Sequence, residues 1–192
     1  MTAKLSRFTP LSCFVLFLLA GIIYSQITAR MPALKAHANI DEAGVGIVLA
    51  CMGAGSFIGF ASIPFLLKAF SSRLILTISA FACLILFFVT ALATNLLFLG
   101  IVFALIGTFF ACYEVCLNTQ ILNLETQSGK NYMLKMHAAY NVGSLSGSLS
   151  GAVFAFFAIG IAGNFSAVAA FFYSAYHLLC LSSAPRSCPL PS

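Results

Sequence analysis

Charge is what this chain has least of. Of 192 residues, four are acidic and nine are Lys or Arg, 7% in all, where a soluble domain carries roughly 25%. Too few polar side chains are present to cover a soluble fold of this length, so that class is excluded. The nine basic residues are spread thinly and form no patch, so the net charge of +5 is not a nucleic-acid footprint. The chain also has no glycine-rich nucleotide loop, which argues against direct use of ATP. A nucleophile elbow needs G-x-S-x-G, but Gly143-Ser-Leu-Ser-Gly147 and Gly147-Ser-Leu-Ser-Gly151 both put leucine at its centre. His177 has no orienting acid nearby in sequence. The expectation is that the chain is not an enzyme.

Seven cysteines do not supply the missing chemistry. Cys112 and Cys116 stand at i, i+4, a poor match to zinc pairs, and Cys13, Cys51, Cys83 and Cys180 are scattered over the apolar segments. Cys188 lies near the C-terminus, and His37, His137 and His177 show no ligand spacing. The cysteines read as small packing elements. No metal or other cofactor is expected.

What the chain does have is apolar length. Six stretches, at about residues 11–27, 45–67, 74–93, 96–117, 138–161 and 165–181, approach the roughly 20 residues needed to cross a bilayer core. Residues 1–182 therefore read as one all-α polytopic membrane domain of six transmembrane helices, and 183–192 as a short cytoplasmic tail. Lys4, Arg7, Lys68, Arg73, Lys130, Lys135 and Arg186 fall on one side, Arg30 and Lys35 on the other. Cytoplasmic loops carry the Lys/Arg excess, which puts both termini inside. The first apolar run continues past the usual length of a signal peptide and lacks a small-x-small cleavage site, so cleavage is not expected.

Residues 30–43 read as the longest external loop, with Pro32 marking the helix exit. Asp41 and Glu42 suit the N-terminus of the second span. Residues 118–137 read as the longest internal loop, with a turn at Gln127-Ser-Gly-Lys-Asn131.

Polar residues inside the spans carry the functional signal. Gly100, Ala104, Gly107, Ala111, Glu114 and Asn118 recur at three- and four-residue spacing and share one helix face. Glu114 is the acid within a span, at a position predicted to lie about one turn from the helix end. It reads as a functional group or as a structural partner of Arg73, Lys135 or His137. The first span ends in Tyr24, Ser25, Gln26, Thr28 and Arg30. Tyr24 and Gln26 read as solute contacts or interfacial anchors, and Arg30 as an anchor. Gly143, Gly147 and Gly151, with Gly55 and Gly59, have the spacing of close helix packing. Asn141 lies about a quarter turn from the first of these rows.

At these residues the sequence resembles the N-terminal half of a major facilitator superfamily transporter, within the bacterial inner-membrane YbjJ-like branch related to fucose-type permeases. Ala29-Arg-Met-Pro-Ala-Leu-Lys35 with Gly44-Val-Gly46 is similar to that branch's R-x-P-x-x-K…G-x-G region. Glu114-Val-Cys-Leu-Asn-Thr-Gln120 and Asn131-Tyr-Met-Leu-Lys-Met-His-Ala-Ala-Tyr-Asn-Val-Gly143 resemble its fourth and fifth helices. The superfamily's G-x-x-x-D-R-x-G-R loop has no acid here. Phe17-Leu-Leu-Ala-Gly21 faintly echoes Phe103-Ala-Leu-Ile-Gly107.

The resemblance implies one half of a transporter, itself a 3+3 inverted repeat. The implied function is secondary transport of a small polar solute, sugar-like in the finer reading, by alternating access with proton coupling. Glu114 would be the proton or gating group, Asn118, Asn141 and His137 its polar partners, and Tyr24 and Gln26 the solute contacts. The alternative is a non-transporting packing or regulatory subunit, or an inactive truncated product. The implied location is the inner membrane of the cell. Expected partners are lipid, solute, protons, and a second six-helix half or another copy. In the family the second and fifth helices border the other half, so Gly55, Gly59, Gly143, Gly147 and Gly151 are expected to line that association surface.

Overall fold

Four segments that are long and apolar enough to cross a bilayer form uninterrupted helices. The computed structural model describes residues 9–170. The four are α1 (Thr9–His37), α2 (Glu42–Ala69), α3 (Ser72–Thr90) and α4 (Leu96–Ser128), and they are followed by α5 (Met133–Phe156). A sixth helix, α6, is described over Ile161–Ala170. Serines, glycines and Asn141 dilute the apolar character of α5. The rest of the sixth apolar stretch and the C-terminal tail, with His177, Cys180, Arg186 and Cys188, lie outside the described residues. The chain is an all-helical membrane protein.

Two helices outrun their apolar stretches, which corrects both long-loop readings. α1 continues through Pro32 to His37, because Leu34 and then Ala38 are buried and keep the last turns packed. α4 continues to Ser128, with Ile121 and Leu124 buried. What remains of the internal loop is residues 129–132. Gly129 adopts φ 67°, and its N–H donates to the Glu125 carbonyl at 2.8 Å, a left-handed cap that glycine adopts without Cβ strain. The Glu125 carboxylate then accepts from the Tyr132 and Met133 amides at 2.5 and 2.7 Å, fixing the start of α5. At the other end of the bundle, Asp41 caps α2 through the Gly44 N–H and Asn95 caps α4 through the Phe98 N–H.

Packing follows the glycines. α1 lies along α5, α2 along α4, α3 against α4, and α1 meets α4. A Cβ on Gly143 would strike the Leu18 carbonyl, and one on Gly147 would lie 2.5 Å from the Ile22 carbonyl. In the second pair, a Cβ on Gly55 would strike the Ala104 carbonyl, and one on Gly59 would lie 2.5 Å from the Thr108 carbonyl. The reverse contacts match too: Gly21 sits against the Tyr140 carbonyl and Ser144 N, Gly107 against the Met52 carbonyl and Ser56 N. Both pairs keep one register, so α1 to α4 and α5 to α2 are equivalent positions of an internal duplication. The faint Phe17–Gly21 and Phe103–Gly107 echo marks it in sequence.

Gly55, Gly59, Gly143, Gly147 and Gly151 are therefore buried inside this chain, Gly151 against Ala29. That corrects the expectation that they line an association surface. Small residues let two backbones approach, and the backbones that approach are α1 and α4 of the same chain.

Candidate functional site

At the middle of the bundle the two equivalent helices α1 and α4 meet through aromatic rings. Tyr24 stacks on Phe110 with centroids 5.1 Å apart and planes inclined by 30°, a favourable offset contact. Phe110 in turn lies 6.3 Å from the Tyr113 ring. The Tyr113 hydroxyl donates to the Leu16 carbonyl at 2.9 Å and fixes the α1–α4 spacing. Tyr24 and Phe110 are equivalent positions of the duplication, so its approximate two-fold axis runs between their rings.

Glu114 lies one turn beyond Phe110 on α4 and is half-buried. It is not near the helix end: α4 runs on to Ser128, about 21 Å further at 1.5 Å per residue. Among the described residues no ion pair joins it to Lys135 or His137. Tyr140 of α5, whose backbone touches Gly21, is within electrostatic range of both Glu114 and Tyr24. Tyr24, Glu114 and Tyr140 are each half-buried. They form a polar, aromatic-walled patch contributed by three helices.

The remaining expected residues divide around this patch. His137, one turn before Tyr140, is exposed and sets its ring edge-on to Phe17 at 5.5 Å. Asn141 is exposed on α5. Asn118 is half-buried, one turn beyond Glu114, with its side-chain oxygen buried and unpaired. Gln26 is elsewhere. It is 1% exposed and turned into the bundle, where its Nε2 donates to the Gly147 carbonyl and to Ser150 Oγ, both at 2.7 Å. Its Oε1 accepts from Asn164 Nδ2 at 3.0 Å. A solute could reach Gln26 only by displacing those bonds. The small-residue stripe of α4 likewise packs on α2 as far as Ala111, and only Glu114 and Asn118 carry it past that contact.

Sequence reasoning missed Tyr140, Phe110 and Tyr113. Aromatics are common in apolar helices, and only helix register tells a cavity ring from a lipid-facing one. The intervals did carry a signal for Phe110, which stands one turn before Glu114. It misassigned Arg30, expected to be an interfacial anchor. Arg30 is 4% exposed and donates to the Ile159 carbonyl at 2.5 Å.

Comparison with known proteins points the same way as this geometry. Over 135 residues the chain is 27% identical to a Sinorhizobium fredii (strain NBRC 101917 / NGR234) protein named "Uncharacterized transporter y4wD", covering 70% of this chain and 36% of that one. Over 133 residues it is 26% identical to an "Uncharacterized MFS-type transporter" of Yersinia pestis, covering 69% and 34%. The chain thus spans about a third of the length of the curated relatives it matches. No family model matches it, and no solved structure does.

Proposed function

We propose that this chain is a six-helix unit of a major facilitator-type secondary transporter, of the YbjJ-like branch that its Arg30, Glu114 and His137 motifs resemble. It would move a small polar solute by alternating access together with a second six-helix unit. The observation that carries this reading is Glu114, a half-buried carboxylate beside Tyr140 and one turn from the Tyr24–Phe110 stack, with no ion pair among the described residues. An intramembrane acid without a partner is costly, and such groups mark substrate or proton pathways. The resemblance of the curated relatives to transporters supports the same class.

In this reading Glu114 takes up and releases a proton as the solute binds and leaves. Tyr24, Tyr140 and the outward-lying Asn141 and His137 are the first candidates for solute contact, with Asn118 as a polar neighbour on the far side of Glu114. Gln26 stands outside the site and holds α5 and α6 to α1. The duplicated helix pairs make the unit stiff, so rocking would occur between units rather than within one.

The test is uptake into cells or proteoliposomes containing this chain with its complementary half, measured across pH. Glu114→Gln is expected to abolish the pH dependence and to lower uptake at least tenfold. Uptake that keeps its wild-type rate and pH profile in Glu114→Gln would refute the reading and favour a non-transporting subunit.

A further inference from the structure

We propose that the corner between Arg30 of α1 and the start of α6 binds a phosphate group, from a phospholipid headgroup or from free phosphate. The first observation is a buried charge without a counter-charge among the described residues. Arg30 is 4% exposed; one of its terminal nitrogens donates to the Ile159 carbonyl, and its Nε is buried and unpaired. A guanidinium keeps its charge when buried and offers five N–H donors in a fixed fork.

None of the four carboxylate side chains of the chain is placed to neutralise it. Asp41 caps α2 at the Gly44 N–H. Glu42 pairs with Lys35. Glu125 caps α5 at the opposite end of the bundle. Glu114 sits beside Tyr140, at the level of Gly21 and Tyr24, more than a turn short of Arg30.

The second observation is what Arg30 reaches. Ile159 lies two residues before the first residue of α6. The opening amides of a helix have no acceptor within it, and they form its positive end. Arg30 thus bonds two residues ahead of the amides of Ile161, Ala162 and Gly163, the positive opening turn of α6. A guanidinium beside a helix N-terminus offers a phosphate both a fork and backbone donors.

Access is available from the loop side. Residues 157–160 are exposed, and a Cβ added at Gly160 would meet nothing within 4 Å. The corner lies at the bundle end that carries the α1–α2 and α3–α4 connections, where a headgroup would meet it.

The test uses the purified chain in a maltoside detergent without phosphate. Phosphatidylglycerol, or diacylglycerol as its phosphate-free control, is titrated in and retained lipid is read by native mass spectrometry. Inorganic phosphate is titrated separately by calorimetry. Wild type is expected to retain phosphatidylglycerol at least tenfold better than diacylglycerol.

Gly160→Asp places a carboxylate where the Asn164 N–H meets the Gly160 carbonyl at the start of α6. It should keep the fold, since Asp favours helix starts, yet cut that retention at least tenfold. Arg30→Gln should do the same, and if it does not fold, Gly160→Asp decides. Phosphate heat that is lost in the variants, without preferential lipid retention, would identify free phosphate as the ligand. Equal retention of both lipids by wild type, with no phosphate heat, would overturn the proposal.

Discussion

Where α1 crosses α5, the side chain that reaches the partner backbone is Gln26; where α4 crosses α2, the equivalent position is Cys112. The frames around them are alike. Gln26 meets the Gly147 carbonyl and Ser150 Oγ, while Cys112 meets the Gly59 carbonyl and Ser62 Oγ, each at 3.8 Å. Both serines also bond back to the glycine carbonyl, at 2.9 and 2.8 Å. An amide has two donors and an acceptor, so Gln26 can hold α5 and also recruit α6 through Asn164. A thiol is a weak donor and small, and the α2–α4 pair relies on glycine packing, the Thr108 hydroxyl on the Gly55 carbonyl at 3.0 Å and a longer bond of Ser56 Oγ to the Gly107 carbonyl at 3.4 Å. Duplicated backbone geometry therefore does not impose duplicated chemistry. The polar end of the molecule, with Gln26, Asn164 and Arg30, belongs to one pair alone.

Breaking the backbone approach should have the largest effect, and the same one in both pairs. Gly21→Leu and Gly107→Leu each force a side chain into a carbonyl of the facing helix. Each should destabilise by about 3 kcal/mol or more, beyond the usual range for overpacking. Detergent-denaturation curves read by circular dichroism would measure it. A Gly107→Leu chain as stable as wild type would dissolve the proposed equivalence.

Removing the crossing side chain should separate the pairs. Gln26→Ala leaves the Asn164 amide without its buried acceptor, deletes the bonds to the Gly147 carbonyl and Ser150 Oγ, and should cost about 2–3 kcal/mol. Cys112→Ala removes a weak contact and should cost about 1 kcal/mol. The same denaturation assay decides between them, and equal losses would mean that the hydrogen-bond count is not what distinguishes the two.

The smallest effect is expected on the axis between the pairs. Tyr113→Phe keeps the ring contact with Phe110 and deletes the bond to the Leu16 carbonyl. About 1 kcal/mol should be lost, with the α1–α4 spacing measurably looser by distance labels on those helices. No change would show that stacking alone sets that spacing.

The candidate patch was half legible. Glu114 stood out in the sequence because a lone acid in an apolar run is expensive wherever it lies, and its cost does not depend on fold. Tyr140 and Phe110 did not, since an aromatic ring is as cheap against lipid as in a cavity wall. Gln26 was singled out for the right property, polarity at depth, and given the wrong partner. Its i, i+4 neighbour Arg30 shares its face, but nothing in the intervals says whether that face looks to water or to Gly147.

Composition and apolar length by themselves determined that the chain is helical and belongs in a membrane, because backbone groups without water must bond within their own helix. Short-range spacing determined the glycine rows, the caps at Asp41 and Asn95, and the turn at Gly129, all of them interactions between residues close in sequence. Tertiary structure alone decided which helix each glycine row faces. It also extended α1 and α4 past their apolar stretches by burying Leu34, Ile121 and Leu124. The physical reason is the same in each case. A glycine row allows a close approach without choosing the partner, and a helix end stays folded or frays according to what packs against it.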